Sequence, residues 1–187
     1  MKTLKILTII LTLSAFSCNN KTIQTYSKTT TWQESLNTQL SLFGHRNWIL
    51  IVDKAFPMQN ANGITTIDTN EDLLPVLKTV LQQIDQSTHV RPIVYTDKEL
   101  SFVTEDQVSG IESYRKLLDE IVGKMGPQVL LHDSVFVKID QASKLFGVLV
   151  LKTNEVIPYS SVFLQLDCKY WSTENEQLLR EAMKTQN

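Results

Sequence analysis

Trp48-Ile49-Leu50-Ile51-Val52 is an apolar run of five residues with no polar alternation. Such a run predicts a strand covered on both faces. Gly44-His45 stands before it, and Asp53 followed by Phe56-Pro57 stands after it. Titratable groups therefore sit at both ends of a buried strand, which is where α/β proteins usually keep their chemistry.

Around this run, helical and extended patterns alternate. Thr31-Trp32-Gln33-Glu34 has the form of a capping box. It opens a helix with Trp32, Leu36, Leu40 and Phe43 on one face, stopped at Gly44. Residues 58–63 are polar and predict a loop, and Ile64–Ile67 predicts a short strand. Asp68 to Ser87 carries Leu73, Leu77, Val80, Leu81 and Ile84 at helical spacing, with Pro75 near enough to the first turn to be tolerated.

His89 to Tyr95 predicts a strand, which Pro92 places at an edge or gives an irregular start. A short helix at Lys98–Phe102 leads into a longer one with Ile111, Tyr114, Leu118, Ile121 and Met125 on its apolar face, ended by Gly126-Pro127. Gln128–Leu131 predicts a third strand ending at His132-Asp133, and a helix runs from Ser134 to about Ser143. Phe146–Leu151 and Val162–Leu166 are two more apolar runs, separated by a loop at Pro158-Tyr159-Ser160-Ser161. A last helix spans Thr173 to about Lys184, with Thr173 and Glu176 as its capping box. The alternation predicts a layered α/β domain over residues 31–187 with a largely parallel sheet. The last two strands lie close together with no helix between them, so that pair is antiparallel or differently connected, and a mixed sheet is expected.

Composition narrows the function classes. Eighteen basic against 20 acidic residues create no field suited to nucleic acid. The sequence has no Gly-x-Gly-x-x-Gly, no Walker loop and no Gly-x-Ser-x-Gly elbow. His45, His89 and His132 are scattered without metal-ligand spacing, so neither a metal nor another cofactor is expected. His89 reads as a surface residue. Beyond Cys18, Cys168 is the one remaining thiol, which rules out an internal disulfide once Cys18 is modified; it reads as a small buried residue.

The first 18 residues read as an export signal. Lys2 and Lys5 precede an apolar segment at Ile6–Leu13, far short of the roughly 20 residues that span a bilayer. Ser14-Ala15-Phe16-Ser17-Cys18 resembles a bacterial lipobox, with residues 1–17 removed and Cys18 lipidated. Several acyl chains hold a protein stably at a membrane. Residues 19–30 are polar and read as a flexible tether. Asn19 after the cysteine, with no acidic run following, points to an outer-membrane anchor facing the periplasm.

Gly44-His45, Asp53 and Phe56-Pro57 together resemble the Gly-His…Asp-x-x-Phe-Pro signature of the D-ribose pyranase and L-fucose mutarotase family. Pro158-Tyr159, running into the strand at Val162–Leu166, is similar to that family's closing motif. His132 matches a substrate-binding histidine of the ribose branch. The resemblance implies a three-layer α/β/α fold with a mixed, mostly parallel central sheet. It also implies ring-form or anomer interconversion of a free monosaccharide by a homo-oligomer, with a ring of subunits as one form. His45 would be the acid–base group, and Asp53, His132, Tyr159 and Ser161 would contact the sugar. This chain has Arg46-Asn47-Trp48 where the family commonly has a small residue and an acid, and Ser161 where it has Asn. Both differences fall where the sugar should sit, so the resemblance leaves the sugar open.

The chemistry fits these residue types. Opening a cyclic hemiacetal needs a proton delivered to the ring oxygen and one removed from the anomeric hydroxyl. Histidine, with an ordinary pKa of about 6.5, can do either. The bland alternatives are His45 as a helix C-terminal cap, His132 as a strand-end polar residue and Tyr159 as turn packing. Spacing adds a constraint: along a straight strand, His45 and Asp53 would be roughly 26 Å apart and could not share one sugar within a subunit. Either the chain bends sharply at Arg46-Asn47, or His45 of one subunit faces Asp53 of a neighbour; the second is the favoured reading, because the resemblance implies rings of subunits. A second function class is a lipid-anchored sugar-binding or sensory protein without turnover, and a third is a structural lipoprotein.

Overall fold

The computed structural model describes residues 30–185. The export signal, Cys18 and residues 19–29 of the tether lie outside the described residues. In chain order the elements are α1 (Trp32–Leu42), β1 (Trp48–Val52), β2 (Ile64–Asp68), α2 (Leu73–Gln86), β3 (Val90–Asp97), α3 (Ile111–Val122), β4 (Gln128–Leu130), α4 (His132–Ser143), β5 (Val148–Lys152), β6 (Val162–Cys168) and α5 (Thr173–Lys184). Single 3₁₀ turns at Lys98–Phe102 and Gly123–Met125 flank α3.

One six-stranded sheet runs in the order β2-β5-β1-β6-β3-β4. β1 is parallel to β5, β5 to β2 and β3 to β4, while β6 is antiparallel to both β1 and β3. The sheet is thus mixed and mostly parallel. β5 and β6 do not pair with each other; β1 lies between them.

β1 shows why its five apolar residues follow without a break. Ile49 and Ile51 pack into a core shared with α1, α2 and α3 on one face. Trp48, Leu50 and Val52 pack on the other, against Val135 and Ile139 of α4. A strand covered on both sides has no position that tolerates a polar side chain. These faces give the three layers, with α4 alone on its side.

Several local expectations change in detail. α2 begins at Leu73, with Asp72 at its N-cap position, because Ile64–Asp68 is already committed to pairing with β5. β3 is interior only over Tyr95–Asp97, and its first half is an edge, as Pro92 indicates. β4 pairs only with Tyr95–Asp97, so the half of β3 that holds Pro92 is open on the side away from β6, where a missing N–H costs little. α4 starts at His132, two residues earlier than the periodicity shows. α5 is capped by Ser172, whose hydroxyl accepts from Asn175 N–H at 3.1 Å, and not by Thr173.

His89 is a half-buried helix cap and not a surface residue: its Nε2 lies 3.2 Å from Leu40 O and 3.0 Å from Phe43 O at the end of α1. The capping box at the start of α1 is complete. Glu34 N–H donates to the Thr31 hydroxyl at 3.2 Å, and Thr31 N–H donates to the Glu34 carboxylate at 3.0 Å. Replacing Thr31 with Ala should cost about 1 kcal/mol, seen as a lower urea midpoint at unchanged m-value.

Candidate functional site

The polar groups singled out in the sequence fall at opposite ends of the sheet. Asp53, His132, Tyr159 and Ser161 gather at the edge where β1, β3, β4 and β5 end and β6 begins. Register explains the gathering. Val162 stands level with Ile51 of β1 and Thr96 of β3, so one step further Ser161 is level with Val52 and Asp97. The carboxyl ends of parallel strands, next to a reversal of direction, form the usual ligand crevice of such sheets.

Asp53 is held on three sides. Its Oδ2 accepts from the Ser161 hydroxyl at 2.8 Å, its Oδ1 accepts from Ala55 N–H at 2.9 Å, and its own N–H donates to Ser161 Oγ at 3.1 Å. Ser161 is 1% exposed. Its hydroxyl both donates and accepts toward Asp53, so it fixes that carboxylate and presents no free group itself. Phe56 packs its ring on Phe136 of α4 with 5.3 Å between centroids, and its carbonyl accepts from Lys152 Nζ at 2.9 Å.

His132 is the first helical residue of α4. Its backbone N–H faces both carboxylate oxygens of Glu99, each at 3.1 Å, so Glu99 caps a helix that lacks a side-chain cap of its own. Its ring lies between Phe136, centroids 4.7 Å apart, and Tyr159, which meets it edge-on at 5.4 Å and 85°. Nδ1 lies 2.7 Å from Asp97 Oδ2. With a carboxylate as acceptor, Nδ1 carries the proton and Nε2 is the basic nitrogen of the neutral ring.

Asp97 is fully buried at the end of β3, and its Oδ1 has no hydrogen-bond partner among the described residues. Burial pushes its carboxyl up to about 6; the hydrogen bond and charge of His132 oppose that, and the neighbouring carboxylates of Glu99 and Asp53 add to it. Tyr159 has a left-handed backbone, φ 59°, a cost of about 1 kcal/mol for a non-glycine residue. The next residue anchors it: the Ser160 hydroxyl donates to Ile157 O at 2.7 Å, and the buried Tyr114 hydroxyl donates to Ser160 O at 3.1 Å. Burial raises the Tyr114 phenol, which stays a donor.

His45 is elsewhere. It stands in the turn between α1 and β1, where Arg46 N–H donates to Leu166 O at 2.8 Å and Gly44 N–H to the Asn47 side chain at 2.8 Å. Its imidazole is exposed and makes no hydrogen bond to the described residues. All of β1 lies between it and Asp53, and the chain turns just before β1 at Arg46, where φ is 74°. It lines a cavity of about 530 Å³ with Arg46, Arg91, Asp167 and Trp171.

Asp97 and Glu99 are the groups the sequence reading missed. They sit where β3 ends and the short helix at Lys98–Phe102 begins. The available signal for Asp97 was a carboxylate two residues past the run that ends at Tyr95, close to the situation of Asp53 after Val52.

The family model described as the RbsD / FucU transport protein family matches residues 27–168. A structure of Bacillus subtilis RbsD complexed with D-ribose superposes with a TM-score of 0.51 at 20% identity, covering 75% of this chain and 96% of that one. A fucose mutarotase from Streptococcus pneumoniae in complex with L-fucose gives 0.50 at 15% identity, covering 78% and 98%. No curated protein sequence matches significantly. The match over the whole sheet and the helices that cover it places this chain in the RbsD / FucU transport protein family.

Proposed function

We propose that this protein interconverts ring forms or anomers of a free monosaccharide, with His45 of one subunit completing the Asp53, His132 and Tyr159 cluster of a neighbour. The observation that carries this reading is the split: three groups suited to sugar hydroxyls converge at one mouth of the sheet, while the exposed, unpartnered His45 stands at the other. The similar RbsD and fucose mutarotase structures hold D-ribose and L-fucose, which supports a monosaccharide as the ligand class.

In this reading the base takes the proton of the anomeric hydroxyl, and its electron pair forms the carbonyl. The C–O bond to the ring oxygen breaks, and that oxygen takes a proton. Reclosure by the same or another hydroxyl returns the proton and gives the other anomer or ring size. No redox change and no leaving group are involved. Asp53, oriented by Ser161, accepts from sugar hydroxyls, Tyr159 donates or accepts, and the His132–Asp97 pair offers Nε2. Attachment to the cell envelope through a lipidated Cys18, on the periplasmic face of the outer membrane, belongs to the same proposal. Fatty-acid labelling lost in Cys18→Ala is the expected result.

NMR saturation transfer between pyranose, furanose and anomeric forms of several monosaccharides is the direct test. His45→Ala and Asp53→Asn should each slow exchange by about 10²–10⁴-fold. Mixing and reassembling the two inactive variants should restore about a quarter of wild-type activity, since random pairing joins one intact half to another at that frequency. No recovery would sink the shared site, and ligand shifts without exchange in the wild type would make this a binding protein.

Asp97 gives a second test through pH. Its raised value means the folded protein holds this proton more tightly than the unfolded chain, whose carboxyl titrates near 3.8. Its contribution is therefore most favourable below about pH 4 and is lost as pH rises through about 6. That gap corresponds to about 3 kcal/mol. The stability of Asp97→Asn relative to wild type should thus rise between pH 4 and pH 7 by up to about that amount, measured by urea unfolding. A difference that is flat with pH would show that the carboxyl is not raised.

A further inference from the structure

A second recess opens on the face of the sheet that α4 covers. It lies between the later part of α4 and the start of β1, where Trp48 stands level with Gln165 of β6. Its volume is about 280 Å³, just short of the usual range of small-molecule sites, so it suits a compact group. None of His45, Asp53, His132 and Tyr159 lines it.

The lining carries two positive charges, from Arg46 before β1 and Lys138 of α4, and no carboxylate. Each cation rests on an aromatic ring. Arg46 Cζ lies 5.8 Å from the centre of the Phe146 ring, and Lys138 Nζ lies 5.6 Å from that of Tyr95. Such contacts hold the charged end in place and leave its N–H donors free. Neither side chain pairs with a carboxylate or makes a hydrogen bond among the described residues. Arg46 also borders the His45 cavity, but its guanidinium lies over Phe146, which lines this recess and not that one. The neutral groups add donors as well. Trp48 lines the recess with an indole N–H that has no acceptor among the described residues. Gln165 has its amide oxygen taken by the Tyr95 hydroxyl at 3.0 Å, which leaves its amide N–H groups. Two like charges on one small recess repel until an anion lies between them.

We propose that this recess binds a phosphate group, free or as a small monoester, through Arg46 and Lys138. Two cations match the charge of about −1.5 to −2 that a phosphate ester carries at neutral pH. The guanidinium offers paired donors to two phosphate oxygens, the ammonium adds a point charge, and the Trp48 and Gln165 N–H groups extend the set. A carboxylate would leave one cation uncompensated. The site is separate from the proposed sugar site and does not rest on the sugar reading.

Calorimetric titration of the full chain with inorganic phosphate and with glycerol phosphate, against acetate and glycerol, tests it. The better of the two phosphates should bind roughly 10- to 100-fold tighter than acetate, the range expected of one further charge-assisted bond, and its identity tells a free ion from an ester. Arg46→Gln and Lys138→Gln should each weaken phosphate by about 10-fold or more. Arg91→Gln, in the His45 cavity, should leave it unchanged. Should Arg46→Gln fold poorly, Lys138→Gln decides, since Lys138 is exposed on α4. In the wild type, the indole N–H resonance of Trp48 should also shift as phosphate is added. Acetate binding as tightly as phosphate, phosphate binding that survives Lys138→Gln or is lost in Arg91→Gln, or no phosphate binding at all overturns the proposal.

Discussion

Everything at the candidate site depends on β6 running against its two neighbours. An interior strand has to satisfy its backbone groups on both edges, and β6 does so with β1 on one side and β3 on the other. Because β5 already occupies the far edge of β1, the chain must return from the end of β5 past β1 at the same mouth of the sheet before it can enter β6. That return, residues 153–161, is stitched to β1. Thr153 places both its N–H and its hydroxyl on Val52 O, and Lys54 N–H donates to Glu155 O at 2.7 Å. The loop therefore arrives with Tyr159 beside His132 and Ser161 between Asp53 and Asp97. The strained backbone of Tyr159 is tolerated because Tyr114 on α3 and the Ser160 hydroxyl fix the residues around it.

What could be read from the chain follows the same logic. β1 was legible because a double-sided strand admits only apolar residues, and the run has no competing helical reading. The direction of β6 was not legible, since periodicity marks which face a residue takes and not which way a strand runs. Asp53, His132 and Tyr159 could be named as residues, but their convergence is a matter of register across β1, β6 and β3. Asp97 and Glu99 escaped because their roles come from α4: only when its N-terminus docks at the end of β3 does one carboxylate become buried against His132 and the other become a helix cap. The histidine at the end of α1 was sought locally, at His45. The cap comes from His89, brought back by β3 from more than 40 residues away in the chain.

Buried charge explains why the site is built in this order. Asp97 loses its water and keeps a single hydrogen-bond partner, so its ionised form is disfavoured until His132 approaches. His132 in turn is fixed by the start of α4, which Glu99 stabilises. A carboxylate pair this close to Asp53 would repel if all were ionised and unpartnered. Ser161 and the Ala55 N–H each donate to an Asp53 oxygen, while burial raises the Asp97 carboxyl.

The distance between the two ends of β1 has a consequence for the proposed reaction. A five-residue strand buried on both faces cannot bend to bring its flanking turns together without opening both halves of the core. If His45 and Asp53 act on one sugar, the second subunit is a part of the site, because no rearrangement within one chain supplies the missing half. The segment after β6 bears on this directly: Tyr170 and Trp171 stand at the His45 end, where a neighbour would dock, so they would shape the shared pocket and its interface together.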